Sequence, residues 1–211
     1  RKPLEISPED FIYNTAKENN GKLSIVTLGR LTNIAKTLRK YPDFKDYVKQ
    51  LVIMGGTIYA PGNIAPNAEA NIYCDADAAD EVFLSGIPIK LVGLDVTMKT
   101  RFTVEHIEHL KEFYKEDCKE IVDYLDKAFK FYRNFNRIQD NAFRDCPLHD
   151  PSAMLALVYP ELYTTRYMKA RVERSGEFSK GRIVVDRRES GNLEANKIEI
   201  CLDVEDKIAV S

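Results

Sequence analysis

LVIMGGTIYAPGNIAPNAEANIYCD, residues Leu51 to Asp75, joins an unbroken apolar run to a long polar stretch. Leu51 to Met54 show no polar alternation, so they read as a strand covered on both faces, as in a parallel sheet between helices. Ordinary strand-to-helix connections take roughly two to six residues. The segment from Gly62 to Asp75 is longer, and rich in asparagine, proline and alanine. Ile58, Tyr59, Ile64, Ile72 and Tyr73 are spread along this connection and argue against disorder. We read it as a functional loop.

Outward from this stretch, helices and strands alternate. Ser7-Pro8-Glu9-Asp10 has an N-cap serine, proline at the first helical position and acids in the first turn. It opens a helix that buries Phe11, Ile12 and Ala16 and stops near Asn20-Gly21. Lys22 to Leu28 reads as a strand and TNIAKTLRKY as the next helix, with a short helix after Pro42. Asp75 caps the helix ADAADEVFLSG, and PIKLVGLDV is a third strand. From Thr103 to about Arg137 the chain is mostly helical, with an apolar stripe through Ile107, Leu110, Phe113, Ile121, Tyr124, Leu125, Phe129 and Tyr132. A short helix follows Asp150, and Gly176, Gly181, RIVVD and KIEICLDV suggest antiparallel strands. The expected fold is α/β, a doubly wound and mostly parallel sheet with helices on both faces and a small antiparallel C-terminal set. Residues 1–211 carry no repeat or low-complexity linker, which favours one domain.

Composition narrows the partners. The 211 residues are 44% hydrophobic and carry a net charge of -2 with interleaved signs, so nothing electrostatic points to nucleic acid. No apolar run approaches the roughly twenty residues of a membrane span. Cys74, Cys118, Cys146 and Cys201 lack zinc spacing and fit reduced thiols in a cytoplasmic protein.

Open parallel sheets bind ligands beyond the carboxyl ends of their strands. Those ends are Leu28-Gly29-Arg30, Met54-Gly55-Gly56 and Gly93-Leu94-Asp95, three turns on one rim. Glu69 and Asn71 are two apart, so in an extended segment both point the same way and offer acceptors and donors to sugar hydroxyls. A solvated loop whose polar residues only make turns fits the same letters. His149-Asp150-Pro151 also admits two readings. Asp150 caps a helix, or it is a hard-metal ligand with His149 as a neighbouring acid or substrate contact.

Taken together, LGRLTNIA, LVIMGG, the G-N-x5-E-x-N of GNIAPNAEAN, VGLDVT, CPLHDPSAM and the late G-RIVVD resemble the inosine-uridine-preferring nucleoside hydrolases, in that family's order and over nearly the whole chain. The resemblance implies a calcium-dependent N-ribohydrolase that splits a ribonucleoside into ribose and free base. It makes the Leu28 carbonyl and the Asp150 carboxylate calcium ligands. Asn63, Glu69 and Asn71 match ribose-binding residues, Met54 lies under the sugar, and His149 faces the base as its proton donor, a role suited to a histidine titrating near neutral pH. Tyr132, Asn136 and Gln139 are candidates for contacts that set base preference. The family's usual assembly implies a homo-oligomer, a dimer or tetramer.

The chain also departs from that pattern. The family's N-terminal aspartate cluster, D-x-D-x-x-x-D-D, is absent, and Arg30 stands where proline or glycine is usual. The expectation is a domain incomplete at its N-terminus, and at its C-terminus after Ser211, with weak or no calcium binding and no hydrolysis by this chain alone. The alternative is a non-catalytic remnant or ribose-binding module of the same fold.

Overall fold

A computed structural model describes residues 3–114, 118–139, 145–188 and 191–210, with the side chains of 136, 138 and 139 outside the description. The element order is α1 Pro8–Asn19, β1 Leu23–Thr27, α2 Thr32–Lys40, a 3-10 turn Phe44–Tyr47, β2 Val48–Met54, α3 Ala70–Tyr73, α4 Ala76–Phe83, β3 Ile89–Val92, α5 Leu94–Thr97, β4 Arg101–Phe102, α6 Val104–Phe113 and α7 Lys119–Gln139. It continues with β5 Cys146–Pro147, α8 His149–Val158, a 3-10 turn Pro160–Leu162, β6 Tyr163–Val172, β7 Ile183–Asp186, β8 Lys197–Val204 and α9 Asp206–Ala209.

Local chemistry accounts for the helix starts expected at α1 and α4. Ser7 Oγ accepts from the Asp10 N–H at 3.2 Å, and α1 ends on Asn20 in the left-handed region. Asp75 accepts from the Ala78 N–H at 3.2 Å and caps α4. Asp80 on α4 is buried but paired, taking the Arg171 guanidinium of β6 at 2.7 and 2.8 Å, so it links helix to sheet.

Among the described residues the main sheet has six strands in the order β1-β2-β3-β8-β6-β7. β1, β2, β3 and β8 are parallel, while β6 is antiparallel to β8 and to β7. The C-terminal antiparallel strands therefore continue the main sheet through β8. β2 explains the missing polar alternation. Leu51 and Ile53 enter a core shared with Ile34, Ala79 and Ile200, while Val52 and Met54 face a second core with Val92, Ala153 and Ala156. Helices α1, α2 and α4 cover the first face, and α5 and α8 the second.

Three expectations change. The strand expected over PIKLVGLDV stops at Val92, and Leu94 to Thr97 wind into α5. Gly93 passes so close to the β2 exit that an added Cβ would lie 2.8 Å from the Gly56 carbonyl oxygen. The stripe along α6 and α7 buries Ile107 and Phe129, but Phe113, Ile121 and Tyr124 are exposed. Phe11 of α1 is also exposed, with Tyr13 and Ala16 carrying the burial instead. No described helix is long and apolar enough to cross a membrane. The cysteines are all free thiols.

Candidate active site

Parallel pairing of β1, β2 and β3 puts their carboxyl ends side by side on one rim. Two carboxylates organise the chain leaving β2. Asp95, brought back by the turn into α5, accepts from the Ile58, Tyr59 and Ala60 N–H groups at 2.8, 2.7 and 3.0 Å. Glu69, with 2% of its surface exposed, accepts from Gly56 N–H at 2.9 Å, Asn71 N–H at 2.8 Å and Ile72 N–H at 3.3 Å. Burial raises the Glu69 pKa, the three N–H groups oppose that shift, and the charge of Asp150 adds to the rise.

The loop between these anchors ends differently from its sequence reading. Glu69 is the N-cap of the one-turn α3, so Glu69 and Asn71 do not lie on an extended segment. They converge all the same. The Asn71 amide donates to the Met54 carbonyl at 3.1 Å and lies 3.3 Å from its sulfur, while Glu69 grips Gly56 two residues on. Asn63 is exposed and its side-chain oxygen accepts from Ala70 N–H at 3.0 Å. Met54 is buried beneath them.

Helix α8, packed against β2, opens with His149 and Asp150. The helix begins at His149 with Leu148 as N-cap and no side-chain cap bond, so Asp150 is not the cap. The Asp150 carboxylate is exposed, with no hydrogen-bond or ion-pair partner among the described residues, and partial desolvation raises its pKa. His149 Nδ1 lies 2.8 Å from Thr97 Oγ1. Burial lowers the His149 pKa to about 4, so the ring is neutral at physiological pH, in contrast to the near-neutral titration expected. A cavity of about 660 Å³ opens beside it, lined by Phe102, Phe129, Tyr132, Cys146, His149 and Asp150 among others. Of the base-contact candidates, Tyr132 lines this cavity, and the side chains of Asn136 and Gln139 lie outside the described residues.

The rim at β1 is barer. Leu28 is exposed, Thr27 Oγ1 is buried with no hydrogen-bond partner, and Arg30 is exposed without a partner among the described residues. A calcium ion takes roughly six to eight oxygens. No group of three or more His, Cys, Asp or Glu among the described residues could hold a metal. The Leu28 carbonyl and Asp150 fall short of that number, so the described residues do not build a calcium site by themselves.

Residues 2–210 match the family described as inosine-uridine preferring nucleoside hydrolase. The chain belongs to this family. It is 37% identical over 175 residues to the probable uridine nucleosidase 1 of Oryza sativa subsp. japonica, covering 83% of this chain and 52% of that protein. It is 35% identical over 184 residues to the pyrimidine-specific ribonucleoside hydrolase RihA of Escherichia coli O8, covering 87% of this chain and 58% of that one. The fold superposes on the purine-preferring ribonucleoside hydrolase from Gardnerella vaginalis with a TM-score of 0.89 at 31% identity, covering 100% of this chain and 65% of the other. The chain thus spans about half the length of the curated relatives it matches. As a nucleoside hydrolase family member it carries the family's α/β sheet with helices on both sides. Asp95 as loop anchor and Thr97 as partner of His149 escaped the sequence reading. The only available signal was the polar pair inside the apolar VGLDVT.

Proposed function

We propose that this chain forms the nucleoside-binding face of a nucleoside N-ribohydrolase, which cleaves the N-glycosidic bond of a ribonucleoside to give ribose and free base. The observation that carries the reading is the buried Glu69 carboxylate holding Gly56 and Asn71 at the β2 exit. Asn71 donates its backbone N–H to Glu69 and its side-chain amide to the Met54 carbonyl, the charge of Asp150 adds to the raised Glu69 pKa, and Asp150 lines the aromatic cavity with His149. In this reading the ribose rests over Met54 among Asn63, Glu69 and Asn71, and the base enters the cavity beside His149.

The residue types suit the reaction. Departure of the base leaves an oxocarbenium-like sugar, and the Glu69 and Asp150 carboxylates stabilise positive charge that develops there. Aromatic rings at Phe102, Phe129 and Tyr132 supply a stacking wall for a planar base. Asp150 and the Leu28 carbonyl are what this chain contributes toward a calcium ion whose other donors lie outside the described residues. The relatives differ in base, as uridine, pyrimidine and purine all occur in their names. A ribonucleoside is therefore the substrate class proposed.

A second reading keeps ribonucleoside binding without hydrolysis. It is favoured by one observation: both Glu69 oxygens are already engaged by backbone N–H groups, and no carboxylate cluster among the described residues stands ready to activate water. The two readings separate in a base-release assay on inosine and uridine with added calcium, run beside equilibrium binding of the same nucleosides. Run on a protein that carries the remaining calcium donors beside this chain, release establishes the hydrolase, binding without release the second reading, and neither overturns both.

A further inference from the structure

Thr97 closes α5 and His149 opens α8, and their side chains meet at 2.8 Å between Oγ1 and Nδ1. Such a contact runs in one of two directions. Either the hydroxyl donates to an unprotonated Nδ1, or an Nδ1–H donates to the hydroxyl oxygen. The second arrangement needs another acceptor for the hydroxyl proton. Thr37 on α2 and Thr100 just beyond α5 show the usual answer, donating back four residues to the carbonyls of Asn33 and Val96. Thr97 does not do this, and its hydroxyl has no hydrogen-bond partner besides His149 among the described residues. It has no solvent exposure, so bulk water does not reach the hydroxyl. An Nδ1–H would therefore leave a buried donor unmet and incur its full desolvation penalty.

We propose that Thr97 is a positioning residue that holds His149 as the Nε2–H tautomer, so that the ring offers a hydrogen-bond donor to the nucleobase in the adjoining cavity. Nε2 has no protein partner among the described residues, and the ring lines the cavity of about 660 Å³. The inference rests on the hydrolase reading for what fills the cavity, but the tautomer does not. It narrows the substrate to a ribonucleoside whose base turns a lone pair, from a ring nitrogen or a carbonyl oxygen, toward His149. As the glycosidic bond breaks, its electron pair leaves with the base and that acceptor gains negative charge. A fixed N–H then binds the departing base more strongly than the intact nucleoside, which is the condition for acceleration. Water oxygen bonds to the anomeric carbon, one water proton ends on the base, and His149 keeps the proton it started with.

The test is nitrogen NMR of the intact protein labelled with 15N-histidine, at a pH where the ring is neutral. A His149→Asn variant assigns the signals against His106 and His109. The expected spectrum has Nε2 protonated and Nδ1 bare. Thr97→Ser should preserve it, and Thr97→Val should shift both nitrogens toward the average of two tautomers. A protonated Nδ1 in the parent, or a Thr97→Val spectrum identical to the parent, overturns the proposal. Should Thr97→Val not fold, the parent spectrum still decides. In base release, Thr97→Val should lower kcat roughly tenfold with KM little changed, a loss on the scale of one neutral hydrogen bond, and Thr97→Ser should restore most of it. Unchanged kcat removes the role toward the base. No release by the parent overturns the hydrolase reading instead, and the spectrum then decides the tautomer alone.

Discussion

The exits of β1 and β2 lie next to each other on one rim and are built on opposite principles. At β2 the exit is closed: Leu51, Val52 and Ile53 are fully buried, and the loop beyond is tied down by Asp95 and Glu69 through six backbone N–H groups. At β1 every residue from Leu23 to Thr27 is half-buried, Thr27 Oγ1 has no partner, and Leu28 and Arg30 face outward. The side proposed to face the ribose thus carries its own supports. The side proposed to face calcium has donors but, among the described residues, little to hold them or to complete them.

The sharpest way to break this contrast is to remove an anchor on the closed side. Asp95→Ala leaves the N–H groups of Ile58, Tyr59 and Ala60 without their acceptor, around a residue only 8% exposed. Each unmet buried donor costs roughly 1–3 kcal/mol, partly relieved by water entry, so a loss of about 3–5 kcal/mol is expected. Arg30→Ala, on the open side, should change stability by less than about 0.5 kcal/mol. Denaturant midpoints for both variants measure this directly. Comparable losses would mean that the two exits are not built differently after all.

Glu69 gives the next largest effect. Glu69→Gln keeps the size but removes the negative charge proposed to favour the ribosyl cation. In a protein with measurable base release, kcat should fall by roughly 10² or more with a smaller rise in KM. Because Glu69 also takes three N–H groups, the variant's melting curve must be recorded alongside, so that lost folding is not mistaken for lost chemistry. A folded variant with the parent's kcat would sink the assigned role.

The same residue makes a pH signature. Burial raises the Glu69 pKa above its unfolded value, so the native state holds the proton more tightly than the unfolded chain. By linkage, this group's contribution favours folding most below the unfolded pKa and is lost as pH rises through the folded pKa. Glu69→Gln should flatten that part of the stability profile, leaving the stabilities of variant and parent closer at low pH than at neutral pH. Parallel profiles across this window would show that Glu69 is not desolvated as described.

What could be read from the letters divides along the same line. LVIM was legible because a strand buried on both faces leaves no polar residue in either half of its alternation, and Asp75 because a cap announces itself within three residues. β6 was not legible. Its exposed Arg166 and Tyr167 and half-buried Lys169 and Arg171 mask an alternation that only pairing with β7 and β8 makes visible. α5 was missed because Asp95 is drawn back to the loop by partners more than thirty residues away. The nearness of Glu69 and Asp150 is a product of the sheet, and so is the burial that keeps His149 neutral, which no spacing in the sequence encodes.

The smallest effect expected lies at the open exit and concerns calcium. Affinity for this ion follows the number of oxygens and the charge they carry. The 211-residue chain offers the Asp150 carboxylate and the neutral Leu28 carbonyl, and no cluster of three ionisable ligands among its described residues. An ion bound there would exchange most of its hydration for one negative charge. Binding no tighter than the millimolar range of the weakest protein sites is expected by calorimetric titration. Arg30, two residues beyond Leu28 and without a partner among the described residues, adds a like charge near the ion. It is exposed, so water and salt screen most of its field at distances near a Debye length. Arg30→Gly should therefore tighten calcium binding by no more than about threefold at low salt, and by less at 0.15 M, where the screening length is roughly 8 Å. Micromolar binding by the parent chain would show that the β1 exit holds more donors than Leu28 and Asp150. A gain of a hundredfold from Arg30→Gly would place the guanidinium at the ion itself, and the open exit would then be a site blocked by its own arginine.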